Sequence, residues 1–154
     1  MAQDIPMLTL QEKTLLEGEI TLAEASFALK NMKNYKRPGS NGFTGEVFKF
    51  YWLQLGSFVV RSLNDGFRKG ELSTTQKEGV IISIPKRYKP KDLVKNSKPI
   101  SLLNVVYKIG SACIAKRLKS ILPSLINEDQ TGFMVNRYIG DSIRFVYELI
   151  SYLY

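Results

Sequence analysis

The stretch Gly79-Val80-Ile81-Ile82-Ser83-Ile84-Pro85-Lys86 is short, β-branched and closed by a proline, and predicts a strand. Residues 87–95 are polar and basic, and Asn96 to Leu102 reads as the return strand of a long-looped hairpin. Around this hairpin the apolar spacing is helical. Upstream, Thr21-Leu22-Ala23-Glu24 is a capping box, in which the hydroxyl satisfies one free amide and the carboxylate reaches back to another. Leu22, Ala25, Leu29 and Met32 recur behind it at helical spacing, and that helix stops before Pro38. A glycine-rich loop covers 36–45, followed by helices over 45–55 and 57–69. Their stripes are Phe48, Trp52 and Leu55, then Val59, Leu63 and Phe67, and Gly70 sits where a helix C-terminal glycine belongs.

Downstream, residues 104–119 predict a helix with Val106, Ile109, Cys113 and Leu118 on or near its buried stripe. A second short helix is expected over 120–126, then a loop holding Gln130-Thr131-Gly132-Phe133, then helix again from Asp141. The expected class is α+β: mostly helical, with a small antiparallel β-hairpin or sheet. Residues 1–20 read as an acidic extension ending in a short helix, and 21–154 as the domain proper. Ile143, Val146, Leu149, Ile150 and Leu153 carry an apolar stripe into the last residues with no stop signal. The expectation is that this helix packs on a partner, or that the fold continues past Tyr154.

Composition excludes whole classes of chemistry. The chain has 154 residues, one cysteine and no histidine. Intrachain disulfides, cysteine-based zinc sites, Ser-His and Cys-His nucleophiles and imidazole bases are all ruled out. No apolar run is longer than that from Phe50 to Leu53, too short to span a bilayer, and no basic-then-apolar signal peptide opens the chain. Neither membrane insertion nor secretion is expected. The net charge is +8, although the first 24 residues carry Asp4, Glu12, Glu17, Glu19 and Glu24 against Lys13. A basic body behind an acidic start suggests a polyanionic partner, nucleic acid before membrane.

Three basic constellations stand out. Lys36-Arg37-Pro38-Gly39-Ser40-Asn41-Gly42 combines cations with glycines that let backbone amides approach phosphate closely. A helix–loop–helix turn with solvated charges accounts for the same residues. In the hairpin, Lys86 shares parity with Val80, Ile82 and Ile84, and Lys98 lies on the return strand before Pro99. Arg87, Lys89, Lys91 and Lys95 lie between them, so residues 86–98 hold six cations against Asp92. Two lysines on facing strands can bracket a triphosphate while the loop tracks a strand backbone; a solvated, charged loop is the plainer alternative. Third, Gln130-Thr131-Gly132-Phe133 is followed by Arg137, which packing and surface charge would equally explain.

The order of these blocks resembles the reverse transcriptase of LINE-type (non-LTR) retrotransposons. The likeness runs over about residues 8–154. It is carried by Ala28 to Lys33, Lys36 to Gly42, Gly70 to Lys77, Ile84-Pro85-Lys86, Lys98 to Val105, Tyr107-Lys108-Ile109, Ala115 to Leu118, Asp129 to Phe133 and Arg137 to Gly140. The resemblance implies the N-terminal extension and fingers part of a right-hand, RNA-directed DNA polymerase. It implies triphosphate contacts from Lys86 and Lys98. It implies template contacts from Arg37, Gly39, Asn41 and Gly42 and from Gln130, Gly132, Phe133 and Arg137, beside which Lys89 and Lys91 are candidate nucleic-acid contacts on the charge of the basic loop. The implied partners are an RNA template, a DNA primer and deoxynucleotide triphosphates, in the nucleus and cytoplasm.

Some positions depart from the family pattern. Ser40 and Asn41 stand where the family has Pro-Asp, and Ser97-Lys98 where an aromatic and arginine are common. Lysine keeps the charge but loses the planar fork. Asn136 precedes Arg137 where a glycine or acid is frequent, and drift of this kind suits a decaying element copy. The family's chemistry uses magnesium held by palm aspartates that come later in the polymerase, and none of Asp4, Asp65, Asp92, Asp129 and Asp141 matches them. Glu128-Asp129 reads as a loop or capping pair. The expectation is therefore a polymerase fragment that binds no metal and is inactive alone. Two other readings stay open: a non-enzymatic nucleic-acid-binding remnant, and an interaction protein that pairs through its last helix.

Overall fold

The computed structural model describes residues 7–88, 90, 93–127, 129–132, 134 and 136–153. The fold is α+β. Its elements in order are α1 (Leu10–Glu17), α2 (Leu22–Lys30), α3 (Gly45–Phe50), α4 (Trp52–Lys69), α5 (Thr74–Lys77), β1 (Gly79–Pro85), a 3-10 turn (Val94–Asn96), β2 (Ser97–Leu103), α6 (Val105–Leu125) and α7 (Ile139–Leu153). Two compact units divide the chain, one over Glu19–Cys113 and the other over the residues up to Gly18 with those from Ile114 onward. Helix α6 contributes to both.

In the Glu19–Cys113 unit, α2, α3, α4 and the start of α6 bury Ile20, Ala25, Leu29, Phe48, Val59, Leu63, Val105, Ile109 and Cys113 in one cluster. The Thr21 box forms as read: Glu24 N–H donates to Thr21 Oγ1 at 3.2 Å, and Thr21 N–H to the Glu24 carboxylate at 2.9 Å. The helix ends at Lys30, earlier than its apolar stripe suggested, where the Asn31 side chain donates to the Phe27 carbonyl at 2.8 Å. Asn64, only 6% exposed, ties helix α4 to the entry of α2, accepting from Ile20 N–H and donating to Ile20 C=O.

The break between α3 and α4 falls at Tyr51 and not at Gly56. Gly56 is interior to α4, where a Cβ would meet Leu22 and Trp52 at 3.0 Å; the glycine serves helix packing. Tyr51, at φ −96° and ψ 18°, lies in the bridge region and interrupts the helix. Gly70 closes α4 in the left-handed conformation at φ 69°, as its position predicts. Helix α5, unexpected from the apolar pattern, forms on a Ser73/Gln76 capping box.

Strands β1 and β2 pair antiparallel, with Ile82 opposite Ile100 and Ile84 opposite Lys98. The ladder continues one step further, since Lys86 N–H donates to the Asn96 carbonyl at 2.7 Å. Pairs of that parity are therefore the hydrogen-bonded ones. Pro85 and Pro99 fall in the intervening, non-hydrogen-bonded pairs, so their missing N–H groups remove no ladder bond.

The other unit begins with α1, capped by a Thr9/Glu12 box. The two helices expected over 104–119 and 120–126 are one, α6, running through Pro123. Proline there sacrifices a single intrahelical bond close to the helix end, which 21 residues of helix tolerate. Arg117 stands among the inward positions of α6 at 8% exposure. Its guanidinium donates to the carbonyls of Leu16 and Gly18 at the end of α1, a helix with no basic residue in its own last turn. Helix α7 buries none of its described residues.

Candidate nucleic-acid interface

Register brings Lys86 and Lys98 together. Lys98 faces Ile84, and Lys86 lies two residues further along the same strand, so the two lysines occupy one face at the hairpin end. Such a diagonal pair sits with Cα atoms roughly 7–8 Å apart. Lys98 is exposed; Lys86 is half-buried and its ammonium donates to the Lys95 carbonyl at 2.8 Å. An ammonium has three donors, so that bond leaves Lys86 capacity for an anion. The loop is closed by Asn96, which the sequence did not single out. It is 8% exposed, its carbonyl accepts from Lys86, and its side chain donates to the Pro90 carbonyl at 2.9 Å. Lys89 and Lys91 lie outside the described residues.

The glycine-rich loop is fastened at the opposite end of β2. Asn104, 2% exposed, follows that strand directly. Its Oδ1 accepts from Asn41 N–H at 3.3 Å, and its Nδ2 donates to Ser40 Oγ at 3.3 Å and to the Thr75 carbonyl at 2.5 Å. Gly39 N–Cα–C passes so close that a Cβ would stand 2.6 Å from the Asn104 nitrogen. The turn closes through Gly42 N–H to the Gly39 carbonyl at 3.2 Å, with Gly42 at φ 76°. Asn41 Oδ1 accepts from Phe43 N–H at 3.1 Å. Arg37, Asn41 and Gly42 are exposed, and Gly39 is half-buried. Six residues separate Lys98 from Asn104, so the loop and the lysine pair lie about 20 Å apart along the strand. About six phosphates of a nucleic-acid strand cover that distance.

A short anchor leads into the loop. Lys49 donates to the Met32 carbonyl at 2.7 Å and to Asn34 Oδ1 at 2.6 Å, while the Glu46 carboxylate accepts from Tyr35 N–H. That backbone donor, with further bonds from its own amide and Thr44, holds the Glu46 carboxyl below the ordinary glutamate range.

In the other unit, Arg137 spans the end of α6. Its Nη1 donates to the carbonyls of Asn127 and Gln130, and its Nη2 to those of Ile126 at 3.1 Å and Pro123 at 3.3 Å. Helix α6 has no basic residue in its last turn, so Arg137 supplies the cation that its C-terminal carbonyls favour. The guanidinium thereby shapes the Gln130–Gly132 turn, in which Gln130 Nε2 approaches the Gly132 carbonyl at 3.4 Å. Gln130 is exposed and Gly132 half-buried. Phe133 and Glu128 lie outside the described residues. Asp129 N–H donates to Asn127 Oδ1 at 3.0 Å, a local turn.

Among the described residues, no group of three or more His, Cys, Asp or Glu side chains could hold a metal ion. No described helix is long and apolar enough to cross a membrane.

No family model matches the chain. Over 148 residues it is 38% identical to a Xenopus laevis protein named Transposon TX1 uncharacterized 149 kDa protein. The match takes in 96% of this chain and 11% of that protein, so the chain spans about a tenth of its relative's length. This likeness supports a transposon origin for the sequence.

Proposed function

We propose that the chain is the template- and nucleotide-contacting part of an RNA-directed DNA polymerase from a LINE-type retroelement. The observation that carries this reading is the hairpin: Lys86 and Lys98 share one face at its closed end. Likeness to a transposon protein over 96% of the chain adds to it. In this reading the two ammonium groups bracket the triphosphate of an incoming deoxynucleotide. Arg37, Gly39, Asn41 and Gly42 lie along the template, with Lys89 and Lys91 extending the basic track. Gln130, Gly132 and Phe133 present a turn to template and nucleotide, and Arg137 holds that turn in place. RNA template and DNA primer are the partners, in nucleus and cytoplasm. Magnesium, carried by aspartates elsewhere in the polymerase, would supply charge stabilisation at the transferring phosphate. The chain alone would incorporate no nucleotide.

Salt dependence tests the reading. If about four to six phosphates are neutralised, log affinity for duplex should fall against log salt with a slope of about −4 to −5. Lys86→Ala with Lys89→Ala and Lys91→Ala should flatten the slope by about 3. Lys98→Ala should weaken competition by a deoxynucleotide triphosphate. An unchanged slope in the triple variant would remove the hairpin from the interface.

The exposure of α7 favours a second reading, association through that helix. Ile143 is 68% and Leu153 74% exposed, and none of the described residues of α7 is buried. A clean monomer by light scattering at tens of micromolar would exclude it.

A further inference from the structure

Among the described residues, three non-glycine residues have positive φ: Tyr35 at 58°, Tyr88 at 61° and Asn136 at 62°. Asparagine tolerates this region; tyrosine does so at a conformational penalty. The two tyrosines are also the most exposed large hydrophobic residues among those described, at 96% and 97%. A bulky ring in a disfavoured backbone conformation, contributing nothing to a core, requires another reason to be there.

In both places the backbone is clamped while the ring stands free in solvent. Glu46 accepts from Tyr35 N–H, and Lys49 holds the Met32 carbonyl and Asn34 just before it. Asn96 fastens the chain on either side of Tyr88, taking Lys86 N–H on its carbonyl and donating its side chain to the Pro90 carbonyl. Cations also neighbour each tyrosine along the chain: Lys36 and Arg37 follow Tyr35, and Arg87 precedes Tyr88. Cations with an interleaved, rigidly presented aromatic form the recognition chemistry of single-stranded nucleic acid, in which phosphates meet charge and bases stack on rings. A protein partner would favour a contiguous apolar patch over isolated rings set among cations.

We infer that Tyr35 and Tyr88 are stacking posts for the unpaired bases of a single-stranded nucleic acid. The inference rests on the nucleic-acid reading above and deepens it. It makes the surface responsive to bases as well as to phosphates, at two positions outside the residues that the family resemblance implies.

The test separates base from backbone. Binding of the whole chain would be measured by fluorescence anisotropy to oligothymidine, oligouridine and an abasic strand, each of about 12 nucleotides. The wild type should prefer the base-bearing strands, and the thymidine and uridine arms tell DNA from RNA. Tyr35→Ala and Tyr88→Ala should each lose about 5- to 100-fold on base-bearing strands and little on the abasic strand, with unchanged salt slopes. Tyr35→Trp should restore binding. Tyr35→Gly should melt at higher temperature than wild type, because glycine relieves the left-handed backbone, and still bind base-bearing strands weakly. Retained affinity in the alanine or glycine variants, or equal losses on the abasic strand, would overturn the inference. Equal wild-type affinity for abasic and base-bearing strands would sink the stacking posts while leaving the charged surface intact. Binding to none of the three strands would sink both.

Discussion

A methyl group on Gly39 would lie 2.2 Å from Asn104 Oδ1, inside the closest approach that any side chain tolerates. The contact joins a loop residue to one 65 positions later, and it explains why this part of the basic loop is glycine. Gly39→Ala should push the loop off the end of β2 and cost about 1–3 kcal/mol, read as a lower urea midpoint. Asn104→Ala leaves the Asn41 N–H and the Thr75 carbonyl without their partner and should cost a similar amount. Wild-type midpoints for both variants would mean that the loop is not held by this contact.

Gly42 and Gly70 provide the contrast. Each has positive φ, and neither would bring a Cβ within 4 Å of other atoms. Alanine at either position meets only the backbone penalty, about 1 kcal/mol. Thermal melts should therefore rank Gly39→Ala well below Gly42→Ala and Gly70→Ala.

Arg137→Ala should expose the last carbonyls of α6 and loosen the turn after it. The expected loss is about 1–2 kcal/mol, with faster amide exchange at Ile126 and Gln130 than in wild type. Arg137→Lys should recover only part, since a single ammonium cannot reproduce a fork that meets four carbonyls. Unchanged exchange in Arg137→Ala would dismiss the capping role.

Acid should weaken the chain through carboxyls held below their ordinary range. Backbone and side-chain bonds from Thr9 lower Glu12, the Tyr35 amide lowers Glu46, and the Lys77 ammonium lowers Glu71. A carboxyl depressed in the folded state stabilises it above the unfolded glutamate value, and that contribution disappears as pH falls through the folded value. Glu46→Gln should therefore show a shallower loss of melting temperature on acidification than wild type. Identical acid limbs would show that the Tyr35 amide does not bind the ionised carboxylate.

Much of the fold was legible because its signals are local. The β-branched run before Pro85, the Thr21 box and Gly70 each act within a few residues, and each forms as read. Where local reading missed, a distant contact intervened. Gly56 resembles a breaker until Leu22 packs against it. For the candidate interface, strand parity grouped Lys86 with Ile82 and Ile84, and the register of β1 against β2 was needed to put Lys98 on the same face. Asn96 and Asn104 escaped notice because a buried asparagine looks, in sequence, like any polar residue beside a strand.

By itself the sequence determined many of the local conformations, the charge balance, the exclusion of histidine and disulfide chemistry and the parity of Lys86 with Ile82 and Ile84 of its strand. All of these follow from residue identity and from periods of two and 3.6 residues. Tertiary structure alone decided that Asn104 would fasten the glycine loop, that Arg117 would serve the end of α1 and that two tyrosines would be held with their rings in water. Such bonds join atoms far apart along the chain or depend on a clamp built elsewhere. Which distant carbonyl a guanidinium reaches is set by how helices pack, and the spacing of neighbouring residues carries no record of it.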